Sequence, residues 1–399
     1  MRFSRFVASG LALLAASVAP LASAQTVPAR GTAGTFDVAS WNVEHFGDPG
    51  FAPSDATQAR NVEAVIAQAD IDLWALQEIG DVDAWQALLD SLQDDGYAGR
   101  LGPATPGTFE LRLGFIYNPS VVQIIGSRTI LNGSNFGGRA PFELQARATI
   151  NGQARTVRII DVHAKAGTTS SDYTARADGA AELKTYIDDR LTRGDAVILL
   201  GDFNDYLTRT TRSGQTASPY AAFLTDDDYV AATLGIEQAN VYTYCTSSSC
   251  SSGSTRDHLI IAGLDAEYVA GSGDRFSEVL TGVPSYTFST SDHVPVLAQF
   301  EFRATASEDG PEAGPVALLA PAPSPFRAAT RLRFRLDAPL DVQLEVFDVV
   351  GRRVASLAGA FSMGEHAVSL DGSPLAPGTY VVRLSAGDVV RTGLVVRAE

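Results

Sequence analysis

Apolar residues recur along the chain at two spacings, and the spacing predicts which segments are strands and which are helices. Short apolar runs bounded by turn residues, such as residues 36–41 and 196–200, indicate buried strands. Residues 56–69 carry apolar side chains at helical spacing, and residues 173–191 form a longer amphipathic helix. Further strands are predicted at residues 71–76, 113–117, 121–131, 142–150, 156–162, 258–262 and 294–302, and a further helix at residues 82–92.

Two of these strands, 142–150 and 156–162, flank Asn151-Gly152, the dipeptide typical of a tight β-hairpin turn. Hairpins interspersed with helices favour layered mixed sheets over one doubly wound parallel sheet. The pattern therefore predicts a layered α/β domain over residues 25–303.

The composition changes after this domain. Residues 304–322 are small, polar and then proline-rich, which is typical of a linker. Residues 323–399 carry short alternating segments separated by glycine turns, a pattern that predicts a small all-β sandwich. Its strands are predicted at residues 331–336, 342–349, 366–370, 379–384 and 389–396.

The first 24 residues have the organisation of a signal peptide. Arg2 and Arg5 precede an apolar stretch at 11–21, and Ala22-Ser23-Ala24 is a small-x-small cleavage site. The alternative, a membrane anchor, is disfavoured because the stretch is short and has no basic stop. We expect a protein that is secreted or held at the cell surface, without stable membrane insertion.

The two cysteines fit that compartment. Cys245 and Cys250 enclose only four residues and would close a small loop as a disulfide. A metal site is the weaker alternative, because two cysteines are an incomplete ligand set.

The chain is acidic, and the charge is unevenly distributed. It has 399 residues with a formal net charge of −16. Residues 311–399 hold nine arginines and nine acidic residues, so the excess lies in the larger domain. Such a domain is a poor non-specific binder of nucleic acid, although it can bind phosphates locally or through metal ions.

Polar side chains follow several of the predicted strands. Asn42, Glu78, His163, Asp202 and Asn204 all stand at or just after the carboxyl end of an apolar run. Chains turn at strand ends and are often polar there, and this alternative would explain any two of these five residues. The recurrence of amide, carboxylate and imidazole groups instead indicates convergence on one site.

These residue types suit phosphate chemistry. Glu78 and Asp202 are hard oxygen ligands for Mg²⁺, Mn²⁺ or Ca²⁺. Asp202 and Asn204 are two residues apart, so in an extended segment both point the same way. Asp292-His293 offers a carboxylate beside an imidazole.

Four motifs in order carry a resemblance. Ser40-Trp41-Asn42, Leu76-Gln77-Glu78, Gly201-Asp202-Phe203-Asn204-Asp205 and Ser291-Asp292-His293-Val294-Pro295-Val296 together resemble the endonuclease/exonuclease/phosphatase superfamily, which includes deoxyribonuclease I and neutral sphingomyelinases. The resemblance implies a four-layer α/β sandwich, two mixed β-sheets flanked by helices.

The resemblance also implies roles for individual residues. Asn42, Glu78 and Asp292 correspond to the metal site, with Mg²⁺ as the expected ion and Mn²⁺ or Ca²⁺ as alternatives. The catalytic group comprises His163, Asp202, Asn204, Asp292 and His293, in which Asp202 orients or deprotonates the attacking water. Arg139 and Lys165 are implied to contact substrate phosphate, and Asp257 is placed with them as a residue that supports the site. Surface positions for Arg139 and Lys165 are the alternative.

A second resemblance covers the C-terminal domain. Pro323-Ser324-Pro325-Phe326 and Ala376-Pro377-Gly378-Thr379-Tyr380-Val381 are similar to the sorting domains of secreted Bacteroidetes-type proteins. This implies type IX-style export or surface attachment through secretion machinery. An immunoglobulin-like accessory domain without a transport role is the alternative.

Together these features predict a secreted, monomeric, divalent-metal-dependent phosphodiesterase, with nucleic acid as its favoured substrate. A sphingomyelinase or an inositol-phosphate phosphatase of the same superfamily is the first alternative. A non-catalytic binding protein on this scaffold is the second.

Overall fold

The computed structural model of the protein describes residues 26–50, 55–104, 110–302, 316–387 and 389–398. The predicted signal peptide lies outside these ranges, as do residues 303–315. Between residues 26 and 302 the strands are β1 Phe36–Phe46, β2 Leu73–Ile79, β3 Ala98–Leu101, β4 Arg112–Tyr117, β5 Val122–Thr129, β6 Phe142–Ile150, β7 Gln153–His163, β8 Ala196–Asp202, β9 Tyr229–Ala231, β10 Tyr244–Cys245, β11 Gly253–Ser254, β12 Asp257–Ala262, β13 Asp274–Arg275 and β14 Val296–Phe300.

The helices of this region vary widely in length. They are α1 Asp55–Ala69, α2 Val82–Leu92, α3 Ser170–Thr192, α4 Ala221–Leu224, α5 Leu234–Gln238, α6 Val279–Gly282 and α7 Tyr286–Ser289, with a 3-10 turn at Ser134–Phe136. The long helix α3 begins before the predicted residue 173 because Thr169 and Asp172 form a reciprocal capping box. Within the described residues, no helix is long and apolar enough to cross a membrane.

Most of these strands form two six-stranded mixed sheets. The first has the order β13-β14-β1-β2-β4-β3, and the second has the order β5-β6-β7-β8-β12-β9. The hairpin predicted around Asn151-Gly152 is β6–β7, with Ile150 opposite Gln153. In each sheet two neighbouring strands are parallel, β1 with β2 and β7 with β8.

Three hydrophobic clusters divide this domain into four layers. Side chains from the inner faces of both sheets meet in one cluster, which includes Phe36, Phe115, Ile159 and Leu200. The outer face of the first sheet packs on α1 and α2, and the outer face of the second packs on α3. This arrangement confirms the four-layer α/β sandwich. Successive side chains along a strand point to opposite faces, so each sheet can pack on the other sheet with one face and on helices with the other.

The C-terminal region is all-β. Its strands are β15 Val316–Ala322, β16 Ala329–Leu336, β17 Leu340–Phe347, β18 Arg353–Phe361, β19 Gly364–Asp371, β20 Gly378–Ala386 and β21 Val389–Arg397. They form a three-stranded sheet, β15-β16-β19, and a four-stranded sheet, β18-β17-β20-β21. Apolar side chains from both sheets, including Phe334 and Leu384, share one core.

The start of this region differs from the expected linker of residues 304–322. Residues 316–322 form β15, which pairs antiparallel with β16. The apolar run Val316-Ala317-Leu318-Leu319 supplies side chains for the shared core, and that burial outweighs the prolines that follow it. The remaining linker residues, 304–315, lie outside the described ranges.

Candidate active site

The parallel strand pairs of both sheets end at the same edge of the sandwich. In the first sheet, regular pairing of β1 with β2 runs to Asn42 opposite Gln77. In the second, β7 and β8 end with His163 opposite Asp202. Strand β12 runs antiparallel to β8, so its first residue, Asp257, also lies opposite Asp202. Topology therefore gathers polar residues from both sheets at one edge.

Backbone irregularities in the first sheet direct some of its side chains toward this shared edge. The β1–β2 pairing is interrupted between Asn42 and Phe46, where Glu44 and His45 have φ values of 45° and 50°. Glu78 has a φ of 65° within a second irregularity between β2 and β4. Such bulges re-aim side chains beside active sites. Glu78 here accepts hydrogen bonds from Asn42 Nδ2 at 3.1 Å and from the His45 amide at 3.1 Å.

A glycine is required where the second sheet enters the site. Gly201 has a φ of 139°, and a Cβ there would lie 1.9 Å from the Val162 carbonyl oxygen. The chain then turns so that Asp202 Oδ1 accepts the Asn204 amide at 2.8 Å, while Phe203 is fully buried. Asp202 and Asn204 consequently face the site on either side of a core residue.

Asp202 lies between two histidines. Its Oδ2 is 3.5 Å from His163 Nε2 and 3.7 Å from His293 Nε2. His163 Nε2 is also 3.5 Å from Glu78 Oε1, and Asn42 Nδ2 donates to Asp202 Oδ2 at 3.1 Å. All five side chains therefore form one connected cluster that joins the two sheets.

The two imidazoles carry different charges at neutral pH. Burial and the Arg139 guanidinium lower the pKa of His163 to about 4, so it is neutral. Burial also disfavours charge on His293, but Asp257 and Asp202 outweigh it and raise the pKa to about 10. His293 Nδ1 lies 2.8 Å from Asp257 Oδ2, which fixes the imidazolium in place.

The two carboxylates of the cluster remain ionised. Burial favours the neutral forms, but His293, His163 and Arg256 hold the pKa of Asp202 below its usual value. His163 and the Asn42 hydrogen bond do the same for the pKa of Glu78. The cluster thus combines two carboxylates with one cationic and one neutral imidazole.

The Ser291-Asp292-His293 segment is anchored to the end of β1. Ser291 Oγ donates to the Asn42 carbonyl at 2.6 Å, and the Asp292 amide donates to Glu44 Oε2 at 2.8 Å. Burial and the neighbouring Asp292 raise the pKa of Glu44 to about 7. Burial, Glu78 and Asp202 raise the pKa of Asp292 despite the opposing effect of His293. Glu44, Glu78 and Asp292 therefore influence one another's ionisation at this edge.

The two basic residues that the resemblance placed at the substrate lie differently. Arg139 donates to the carbonyl oxygens of His163 at 3.2 Å and Ala164 at 2.9 Å, which brings its guanidinium beside the cluster. Lys165 instead pairs with Asp172 at 2.9 Å, at the start of α3. The structure thus places Arg139 at the site and directs Lys165 to a helix terminus.

A buried carboxyl lies two residues before His163 in β7. Asp161 is fully buried, and desolvation raises its pKa well above the usual value. Gln77 Nε2 donates to Asp161 Oδ1 at 2.7 Å, while Gln77 Oε1 and Asp161 Oδ2 have no other partner among the described residues. This pair braces the residues that precede Glu78 and His163.

Sequence reasoning missed four residues at this edge: Glu44, His45, Tyr244 and Arg256. Glu44 is two residues after Asn42, and alternation along β1 was the available signal for it. The Tyr244 ring packs 5.2 Å from the His293 ring, and Arg256 Nη1 donates to Asn204 Oδ1 at 3.4 Å. No local sequence pattern predicted that Tyr244 or Arg256 lies at the site, because only the tertiary fold brings this part of the chain there.

Geometry also singles out a group able to hold a metal ion. Ligand atoms of Asp202, Asp257 and His293 lie within 4.8 Å of one another, and all three side chains are buried. This group shares no residue with the predicted set of Asn42, Glu78 and Asp292, although Asn42 Nδ2 donates to Asp202 Oδ2 at 3.1 Å.

Comparisons with known proteins agree with this architecture. The endonuclease/exonuclease/phosphatase family model matches residues 39–294. A solved structure described as an endonuclease/exonuclease/phosphatase from Beutenbergia cavernae is 16% identical, with a TM-score of 0.52 over 90% of this chain and 100% of that one. At this identity the likeness shows the fold alone.

Two further solved structures are similar over the larger domain. The human Nocturnin catalytic domain is 17% identical, with a TM-score of 0.48 over 68% of this chain and 95% of that one. A family protein from Bacteroides thetaiotaomicron is 16% identical, with a TM-score of 0.47 over 68% of this chain and 98% of that one. No curated protein sequence matches the chain.

Proposed function

The chain belongs to the endonuclease/exonuclease/phosphatase family, and from this we propose that it is an exported, divalent-metal-dependent phosphodiester hydrolase that cleaves nucleic acid. One observation carries the proposal: a buried, ionised Asp202 lies between neutral His163 and cationic His293, beside Glu78. A solvated surface would not require one neutral and one cationic imidazole around the same carboxylate.

The donor set fits a hard divalent cation. Glu78, Asp292 and Glu44 offer carboxylate oxygens at this edge, and burial together with repulsion from Asp292 and Glu78 raises the pKa of Glu44. Mg²⁺ prefers such oxygen ligands. We assign the ion to Glu78 and Asp292, with Asn42 holding Glu78 in place. Asp202, Asp257 and His293 are the poorer set, because the His293 imidazolium has no lone pair to offer while Asp257 keeps it protonated. A bound cation would neutralise charge on the phosphoryl oxygens.

The chain's own residues divide the remaining work. Asp202 is placed to accept a proton from the attacking water, whose oxygen bonds to phosphorus as the bond to the leaving oxygen breaks. His293 presents an imidazolium hydrogen to the phosphoryl or leaving oxygen. Asn204 and Arg139 offer further N–H groups to the same region. Asp257 keeps His293 charged and oriented, as its 2.8 Å contact indicates.

The test is hydrolysis by the purified chain from residue 25 onward. Plasmid DNA, RNA, sphingomyelin and inositol phosphates are each incubated with Mg²⁺, with Ca²⁺ and with EDTA. We expect cleavage of DNA or RNA that EDTA abolishes. Turnover of the lipid or the inositol phosphate alone would contradict the nuclease assignment and leave the hydrolase assignment standing. No turnover of any of them would contradict both and favour the binding-scaffold alternative.

Export is the second part of the proposal. The features of residues 1–24, together with the Cys245–Cys250 disulfide, support a non-cytoplasmic location. The sorting-like motifs support recognition of the C-terminal sandwich by secretion machinery. N-terminal sequencing of the exported protein should begin at Gln25, and intact residues 1–24 in the mature protein would contradict this.

A further inference from the structure

A disulfide-closed hairpin borders the active site on the side of Asn204 and His293. Its strands β10 and β11 pair Tyr244 with Ser254 and Cys245 with Gly253. The Cys245–Cys250 disulfide closes the connecting loop, and the Cys245 amide donates to the Asp292 carbonyl at 2.7 Å. The hairpin is therefore fastened directly to the segment that carries His293.

The hairpin fixes one arginine over one aromatic ring. The Arg256 guanidinium carbon lies 3.8 Å from the centroid of the Tyr244 ring, a stacked cation–π geometry. Arg256 Nε donates to Ser254 Oγ at 2.7 Å, and Nη1 approaches Asn204 Oδ1 at 3.4 Å. None of these partners is a carboxylate. The guanidinium is thus held in position while its charge stays uncompensated by direct pairing.

Asn204 links this arginine to the other one at the site. Asn204 Nδ2 donates to the Ala164 carbonyl at 3.2 Å, and Arg139 Nη2 donates to the same oxygen at 2.9 Å. Arg256 lies on the opposite side of Asn204, one side chain further from Arg139. If Arg139 and Asn204 hold the scissile phosphate, Arg256 lies where the next negative group of an extended substrate would pass.

We propose that Arg256, stacked on Tyr244, binds the phosphate adjacent to the scissile one and makes the site favour a polynucleotide over an isolated phosphodiester. The inference rests on the proposed phosphodiester hydrolysis and names its substrate class. An arginine whose plane is fixed by an aromatic ring loses little side-chain freedom when it binds phosphate. Its outer face is also available for stacking by a nucleobase.

The experiment compares two substrates in the full-length mature protein. One is a short single-stranded oligonucleotide, and the other is bis(p-nitrophenyl) phosphate, which has no neighbouring phosphate. Arg256→Gln should lower kcat/KM for the oligonucleotide about tenfold more than for the small diester, mainly through KM. The salt dependence of oligonucleotide cleavage should also weaken, with the log–log slope falling by about 0.7 as one phosphate contact is lost.

A matched control is available on α3. Arg190 stacks on Tyr186 at 4.8 Å and lies in the last turn of a 23-residue helix whose first turn is near the site. Along the helix axis it lies roughly 30 Å from the first residue of α3, at the opposite end from the Asp172–Lys165 ion pair. Arg190→Gln removes the same charge and the same kind of stack, and it should change neither the substrate ratio nor the salt slope. Tyr244→Leu should reproduce part of the Arg256→Gln effect, and Tyr244→Phe, which keeps the ring, should lose less.

Three results would be decisive. An equal loss on both substrates in Arg256→Gln, with unchanged circular dichroism, would overturn the proposal, as would an unchanged oligonucleotide rate and salt slope. If the glutamine variant fails to fold, Arg256→Lys, which keeps the charge but loses the planar fork, tests the substrate ratio alone. A wild-type protein that cleaves the small diester but no polynucleotide would instead contradict the nuclease assignment itself.

Discussion

At the scale of single residues, Asp202 and its two histidines show how burial and charge divide chemical roles. Both imidazoles are desolvated, yet only His293 has a carboxylate within hydrogen-bond distance of its second nitrogen. That contact, with Asp202 beside His293 and the Arg139 guanidinium beside His163, separates the pKa values of the two rings, about 4 for His163 and about 10 for His293. Pairs of titratable groups with pKa values driven apart are characteristic of acid–base sites.

Asp257→Asn tests this division. The substitution keeps the shape of the side chain but removes the charge that stabilises the imidazolium, so the pKa of His293 should fall by several units in metal-free protein. NMR titration of the imidazole signals measures it, with His366 of the C-terminal sandwich as an internal control. We expect kcat to fall about 10²-fold or more, with a smaller change in KM. A His293 signal whose titration is unaltered would refute the assignment.

Individual site residues were predictable when a strand carried them. Asn42, Glu78, His163 and Asp202 each follow an apolar run, and parallel strands bring such ends together. Alternation along β1 was a signal for Glu44, but the left-handed backbone at Glu44 and His45, which sets the final direction of its side chain, could not be predicted from the sequence. Arg256 was out of reach because its role depends on contacts to residues 244 and 204, which no spacing along the chain connects.

At the scale of elements, the β10–β11 hairpin determines the shape of one wall of the site. It is only two residues long on each side, too short to be stable alone. The disulfide, the close approach at Gly253 and the hydrogen bond to Asp292 stabilise the hairpin instead. Gly253 has a φ of 152°, and a Cβ there would lie 1.8 Å from the Tyr244 carbonyl oxygen. The sequence predicted the disulfide from spacing, but it did not predict the element that the disulfide holds.

Replacing both Cys245 and Cys250 with alanine should destabilise the catalytic domain by about 2 kcal/mol, the loop-closure estimate for a ring of this size. Urea unfolding followed by tryptophan fluorescence is selective, because Trp41, Trp74 and Trp85 all lie in that domain. Reduction of the wild-type protein should give a similar loss while keeping the buried sulfur atoms. A change below about 0.5 kcal/mol in both experiments would contradict a stabilising role for the disulfide.

At the scale of the whole molecule, the layering was predictable and the strand at residues 316–322 was not. Alternating strands, one hairpin signal and amphipathic helices were sufficient to predict layered mixed sheets, and the family resemblance implied that there are four layers. Residues 316–322 form a strand because this short apolar run finds a partner in β16, which only the C-terminal sheet decides. The formal charge also overstates the ionisation of the larger domain, because burial raises the pKa of carboxyls such as Asp72 and Asp161.

Asp72 makes the stability of this domain depend on pH. Burial and nearby Asp37 and Asp70 raise its pKa from 3.8 to about 7, against the hydrogen bond from the Asp37 amide. Its contribution is present below pH 4 and is lost as pH rises to about 7, at up to about 1.4 kcal/mol per pH unit. Asp72→Asn should flatten this part of the stability curve, measured by urea unfolding at pH 4.5 and pH 7. The same slope in variant and wild type would show that Asp72 titrates normally.

The most direct test of the account is hydrolysis by Glu78→Gln across a Mg²⁺ titration, compared with the wild type. If the edge shared by the two sheets is a metal-dependent phosphodiester active site, removing one ligand charge should lower kcat at least about 10³-fold with the fold retained. Asp94→Asn, an exposed carboxylate after α2, should leave activity unchanged. Near-normal turnover by Glu78→Gln at saturating Mg²⁺ would contradict the central claim.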